Sequence, residues 1–177
     1  MIREMRAAEF VALENFLYEA IYVPAGVAPP PREIIFQPEL QVYVKNFGTG
    51  RADFAFAAEV GGEIVGAAWS RIMNDYGHID DETPSLALSV LKKFRRAGLA
   101  TALTAALLEK LAAEKFRRVS LSVQKENSAA LALYKKFGFE IFRATDSEFI
   151  MTLDLEWLVV SHELIERNKK VYAALAK

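Results

Sequence analysis

The chain of 177 residues contains no cysteine and only two histidines. The first absence removes disulfides, thiolate metal sites and a cysteine nucleophile together. The second, with His78 and His162 far apart in sequence, argues against a histidine-rich metal centre, so no metal is expected. No run of about 18 apolar residues occurs, as a membrane helix requires. The opening MIREMRAAEF places charges where a signal peptide needs an uninterrupted apolar stretch. Positive charge is not in excess either: 22 Lys and Arg stand against 23 Asp and Glu, a balance that disfavours bulk nucleic-acid binding. The expectation is a cytoplasmic protein with neither a membrane nor a nucleic acid as partner, in which any basic patch is local.

What is present suffices for one well-buried core, since 53% of the residues are hydrophobic. A single domain over 1–155 and a charged, amphipathic helical extension over 156–177 are expected. Residues 2–5 suit a short strand. Phe10, Leu13, Leu17 and Ile21 recur at helical spacing, predicting a helix over Ala7–Ile21. Four prolines in 24–31 end it. A second helix is expected over Ile34–Phe47, with Pro38 starting one of its turns. Two β-rich runs, Asp53–Val60 and Glu63–Met73, flank Gly61-Gly62, the signal of a two-residue hairpin. After the acidic, aromatic connection NDYGHIDDETP (74–84) come a strand at Ser85–Val90 and a helix from Gly98. A strand at Arg118–Val123, a helix over 128–137 capped by Asn127 and stopped by Gly138, and closing strands at Phe139–Ala144 and Glu148–Leu155 complete the order.

The junction FRRAGLATAL at 94–103 carries the chemistry. Where a strand runs into a helix, the first backbone N–H groups lack intrahelical partners and the helix dipole adds partial positive charge, so an anion can bind there. Gly98, without a side chain, lets a ligand approach the backbone. The turn matches neither a dinucleotide fingerprint nor a P-loop, and an ordinary strand-to-helix turn with solvated arginines has the same local sequence.

Together with LSVQKENSAALALYKKFGF at 121–139, this junction resembles the GNAT superfamily of acyl-CoA-dependent N-acyltransferases. In that family an Arg/Gln-x-x-Gly-x-Gly/Ala turn follows the fourth strand, and a fifth strand, an asparagine, and a helix with a tyrosine before Gly-Phe come next. Here Arg95, Gly98 and Ala100 fill the turn, Asn127 is the asparagine, Tyr134 the tyrosine, and Gly138-Phe139 the pair. The resemblance implies an α/β fold with a mixed, mostly antiparallel twisted sheet, helices on both faces, and strands four and five splayed.

It further implies acetyl-CoA as cosubstrate. Its pantetheine arm would lie against Leu88, Ser89 and Val90, with the backbone N–H near Val90 as oxyanion donor. The backbone of Arg96, Ala97, Gly98, Leu99, Ala100 and Thr101 would hold the pyrophosphate. Arg95 and Arg96 would add charge there, and Asn127 and Tyr134 would complete the cofactor site. Tyr134 would be the general acid for the departing thiolate.

The amine acceptor needs a base. Many family members carry a glutamate on the fourth strand, but Ser85–Val90 has no carboxylate. The nearest candidates are His78, Asp80, Asp81 and Glu82, of which Glu82 is chosen as the second catalytic residue. Tyr18, Tyr22, Tyr76 and His78 are candidates for lining the acceptor pocket. Two competing readings are an acyl-CoA-binding or sensing domain without catalysis, and an interaction module whose C-terminal helix docks on the core or on a second copy in a homodimer.

Overall fold

The computed structural model describes residues 1–156, and the helix expected over 156–177 lies outside them but for its first residue. Seven strands form one sheet in the order β1-β2-β3-β4-β5-β7-β6. They are β1 (Ile2–Glu4), β2 (Phe54–Val60), β3 (Glu63–Arg71), β4 (Ser85–Val90), β5 (Arg118–Gln124), β6 (Glu140–Ala144) and β7 (Glu148–Asp154). Every neighbouring pair is antiparallel except β4 and β5. The expected mixed α/β sheet is present.

Alternation along the strands divides two cores between the faces. On one face, Leu86 and Val90 of β4 and Val119, Leu121 and Val123 of β5 join α3 (Leu99–Ala113) and α4 (Ser128–Lys136). The helix α3 sends Leu103, Leu107 and Leu111 into this core with no exposed surface, each contributing about 1.5–3 kcal/mol by burial. On the other face, Ala55, Ala57, Ala67 and Trp69 meet Leu13, Phe16 and Leu17 of α1 (Leu13–Ala20). Helices therefore cover both faces.

The hairpin β2–β3 turns at Gly61 and Gly62 with φ of 59° and 83°. Two consecutive left-handed residues make the type I′ turn whose twist suits paired strands.

Two expected helices are shorter than the apolar spacing suggests. The first opens as a 3-10 turn at Ala7–Ala12 before α1, with the Glu9 carboxylate accepting from the Arg6 N–H at 2.8 Å. The stretch expected as one helix over Ile34–Phe47 is a 3-10 turn at Arg32–Phe36, the single turn α2 (Pro38–Gln41) and further turns. Gln37 is extended ahead of Pro38, as steric conflict with the proline ring demands. Beyond α2, the Arg71 guanidinium donates to the carbonyls of Val42 and Lys45 at 3.0 and 2.8 Å. A tertiary donor takes the place of the missing helical N–H groups. Arg71 is itself held by Asp53, whose carboxylate is 3.0 Å away and also accepts from the N–H groups of Gly48 and Gly50.

Candidate active site

The strands β4 and β5 pair at a single position, Ser85 opposite Ser120, and then diverge. What faces the resulting gap follows from the antiparallel ladder on the other side of β4. The Leu91 N–H donates to the Val65 carbonyl at 2.9 Å, and Gly66 stands opposite Val90. In an antiparallel ladder alternate residues bond to a given neighbour. Ser85, Ala87 and Ser89 thus bond to β3, while the backbone N–H and C=O of Leu88 and the N–H of Val90 turn toward β5, beyond the last pairing with it; the Val90 carbonyl is taken by the Arg95 side chain. The gap has an amide-lined edge, suited to an extended ligand that carries amides of its own. The Ser89 hydroxyl points to the opposite face and donates to the Phe16 carbonyl at 2.7 Å.

At the end of β4 the chain makes a 3-10 turn at Lys92–Phe94 and enters α3. Arg96 and Gly98 both have left-handed backbones, φ 66° and 79°, and a Cβ placed on Gly98 would meet nothing within 4 Å. The first helical bond runs from the Ala102 N–H to the Gly98 carbonyl at 3.1 Å. The N–H groups of Leu99, Ala100 and Thr101 consequently have no intrahelical partner. Open space, unpaired donors and a helix N-terminus coincide, and a phosphate group fits these properties.

The Arg95 side chain has a local role. Its Nε donates to the Val90 carbonyl at 2.8 Å, and its guanidinium lies 3.8 Å from Glu19. It thereby joins the end of β4 to α1.

Tyr134 stands on the α3–α4 face of the sheet, 7% exposed, among the apolar residues of β4 and β5. Its position is fixed by the way α4 begins and stops. Asn127 caps the start, its side chain accepting from the Ala130 N–H at 3.2 Å. At the end, Gly138 takes φ 89°, the Gly138 N–H bonds to the Lys135 carbonyl at 3.0 Å, and the Phe139 N–H bonds to the Tyr134 carbonyl at 3.1 Å. This pair of bonds is a Schellman stop. The hydrophobic contact that accompanies such a stop is made by the rings of Tyr134 and Phe139, 5.6 Å apart. The Gly-Phe pair is therefore the physical reason the tyrosine is held. Burial raises the phenol to about 12, keeping it protonated throughout the neutral range.

The residues expected to supply a base are dispersed over the 74–84 connection. The Glu82 side chain is 82% exposed and paired to Arg51 at 2.5 Å. The Asp80 carboxylate accepts from the Glu82 N–H at 2.9 Å, and its bond to Thr83 lowers its pKa. The Asp81 carbonyl accepts from Arg51. His78 Nδ1 lies 3.0 Å from the Met73 carbonyl, and Tyr76 is exposed. The Tyr18 hydroxyl donates to the Pro30 carbonyl at 2.7 Å, and the Tyr22 hydroxyl donates to the Glu126 carbonyl at 3.2 Å, tying the end of α1 to the β5–α4 turn.

A second polar cluster, absent from the sequence reading, lies on the α1 face. The Asp75 Oδ2 accepts from the hydroxyls of Tyr43 and Ser85, each at 2.8 Å. The Asp75 Oδ1 is buried without a partner. Gly77 brings this loop against the diverging strands: a Cβ there would stand 2.7 Å from the Ser85 Oγ and 3.1 Å from the Ser122 backbone nitrogen. Glu148 accepts from Gln124 at 2.9 Å. Burial, with Asp75 nearby, raises the pKa of Glu148. Burial also raises Asp75, and burial followed by the Asp75 charge holds Tyr43 far above the ordinary tyrosine range. No local pattern links residues 43, 75, 85 and 148; only the fold brings them together. Among the described residues, no group of three or more His, Asp or Glu side chains is arranged to hold a metal ion, and no helix is long and apolar enough to cross a membrane.

The profile of the Acetyltransferase (GNAT) family matches residues 17–139. An N-alpha-acetyltransferase of Sulfurisphaera tokodaii is 36% identical over 93 residues, covering 48% of this chain and 55% of its own length. A mycothiol acetyltransferase of Streptomyces griseus is 35% identical over 85 residues, covering 48% of this chain and 26% of its own. The matches thus span about half or less of these curated relatives. In fold, the chain is similar to the ribosomal-protein-S18-alanine N-acetyltransferase of Escherichia coli, with TM-score 0.61 and 19% identity over 88% of this chain and 93% of that one. It is equally similar to yncA of Salmonella typhimurium, solved with its cofactor acetyl-CoA, with TM-score 0.61 and 15% identity over 88% and 94%. With the family profile spanning well over half of the chain, through the splayed strands, the glycine turn and the helix that carries Tyr134, this protein belongs to the GNAT family of acetyltransferases.

Proposed function

We propose that the protein is an N-acetyltransferase that moves an acetyl group from acetyl-CoA directly to a primary amine of a small molecule or peptide. The observation that carries this reading is the β4 edge left unpaired at Leu88 and the Val90 N–H, followed along the chain by the free N–H groups after Gly98 and sharing a core with the buried Tyr134. In that frame the backbone from Arg96 to Thr101 binds the diphosphate, with Arg96 adding charge. The edge formed by Leu88, Ser89 and Val90 orients the amide-bearing arm. Asn127 shapes the turn beside it. The Val90 N–H faces the carbonyl oxygen where negative charge develops, an interaction that strengthens only as the reaction proceeds. Tyr134, protonated at neutral pH, gives its phenolic proton to the departing sulfur.

Direct transfer suits a chain without cysteine, the commonest covalent acyl carrier. The acidic connection 74–84 favours a cationic acceptor by its charge.

The test is calorimetric titration with acetyl-CoA, followed by coenzyme A release in the presence of short alkylamines, amino acids and peptides with free N-termini. Binding with transfer to at least one amine is expected. Binding without any transfer would favour a sensing domain, and absence of binding would overturn the reading.

A further inference from the structure

We propose that Asp75 is the general base of the acetyl transfer, acting from the α1 face of the sheet across the β4–β5 gap from Tyr134. The inference rests on the acyltransferase reading above and adds the missing half of its proton chemistry.

The two faces supply the first argument. Leu86, Val90, Leu121 and Val123 share a core with Tyr134 on the α3–α4 face. The intervening residues of β4 and β5, including Ser85 and Ser122, point the other way, toward the side where Tyr43 and Met73 are buried. A thioester lying in the gap between these strands has the phenol on one side and the Asp75 cluster on the other. This disposition lets an amine arrive on the face opposite the leaving sulfur.

The carboxylate itself is poised to accept a proton. Tyr43 and Ser85 both donate to Oδ2 and hold the group in one orientation. Oδ1 is left buried without a partner, although a carboxylate oxygen in such a place ordinarily has a donor. Asp75 as a whole remains partly exposed, so the group lies at the rim of the core. An ammonium group, directly or through one water, supplies the donor that Oδ1 lacks. Glu82, exposed and neutralised by Arg51, has neither the orientation nor the vacant buried oxygen.

The groups around Asp75 set how it titrates. Tyr43 from the segment after α2 and Ser85 from β4 stabilise the carboxylate by hydrogen bonds, and the N–H groups of Gly77 and of Asp75 itself favour it without closing a bond to Oδ1; burial and Glu148 of β7 oppose it. His78 bonds back to Met73, and Arg143 of β6 donates to the His78 carbonyl rather than to the carboxylate. Burial dominates, so the folded carboxyl ionises above the ordinary aspartate range, toward the pH where a base is most useful.

Asp75 takes one proton from R–NH3+, and the amine nitrogen bonds to the thioester carbon as the C=O opens. The C=O re-forms as the C–S bond breaks. The sulfur takes the Tyr134 proton, and the nitrogen loses its second proton to solvent, which returns one to Tyr134. The products are the amide, coenzyme A thiol and one released proton.

Asp75→Asn tests the assignment with the amine that the wild type acetylates fastest in the panel above. Turnover should fall at least a hundredfold, with acetyl-CoA affinity unchanged and the acid limb of the kcat/KM profile lost. Melting temperature should hold or rise, because a carboxyl whose pKa is raised on folding stabilises at low pH and loses that contribution as pH rises through the folded value. Tyr43→Phe removes one donor to the carboxylate and should move the acid limb to higher pH, which a merely structural tyrosine would not do. Turnover of Asp75→Asn within threefold of wild type, or a limb unmoved in Tyr43→Phe, would overturn the assignment while leaving acetyl transfer intact. Failure of the wild type to acetylate any amine would instead defeat the reading on which it rests.

Discussion

Tyr134 shows how backbone events on either side fix the position of a single side chain. Asn127 starts its helix, Gly138 stops it, and Phe139 packs on its ring. Replacing Tyr134 with Phe keeps the packing and removes the proton, so kcat should fall about a hundredfold with little change in acetyl-CoA affinity. Steady-state rates beside calorimetry measure both, and unchanged turnover would remove the phenol from the reaction. The same group predicts alkaline behaviour. Burial raises it from 10.0 to about 12, so its neutral form is favoured in the fold. That stabilisation is complete below pH 10 and is lost as pH rises through about 12. Absorbance titration with parallel circular dichroism should show less alkaline destabilisation in this window for Tyr134→Phe than for wild type. Gly98, Asn127 and Tyr134 are legible in sequence because their neighbours along the chain determine their conformations. Asp75 is not, since its partners Tyr43 and Ser85 are defined by strand register and not by spacing.

Among the elements, α4 and the β4–α3 turn follow local signals closely, whereas the region before β2 does not. Apolar spacing over 34–47 suggests a helix, but Pro38 and the Arg71 guanidinium divide the backbone carbonyls differently. Arg71 is a strand residue that no local rule connects to that segment, which is why periodicity overstates the helix. The splay between β4 and β5 is likewise invisible to composition. Gly77 packs against these strands, where a Cβ would stand 2.7 Å from the Ser85 Oγ and 3.1 Å from the Ser122 nitrogen, a contact that no local pattern announces. The helix stop offers an element-scale test. Gly138→Ala places a Cβ in a left-handed residue, a cost of about 1–2 kcal/mol, and should lower the melting temperature by several degrees. Because the Schellman bonds also hold Tyr134, kcat should fall with it, while Gly138→Asn, better suited to this backbone, should recover much of both losses. A stability loss with wild-type turnover would separate the helix stop from the chemistry.

At the scale of the whole molecule, the sheet buries one core on each face and leaves a gap between its two parallel strands, and the proposed reaction uses all three. The motifs at 94–103 and 121–139 mark the turns and helices at the centre of the sheet, and the resemblance they carry implies helices on both faces. The pairing order β5-β7-β6 and the meeting of Tyr43, Asp75 and Glu148 arise only when the sheet closes. The most direct measurement of the central claim is a crystal structure of the full chain with acetyl-CoA. The account predicts the diphosphate on the N–H groups that follow Gly98, the pantetheine arm along Leu88 and Val90, and the thioester sulfur within about 3 Å of the Tyr134 hydroxyl, with Asp75 on the opposite face. An arm bound outside the β4–β5 gap, or a sulfur remote from Tyr134, would contradict it.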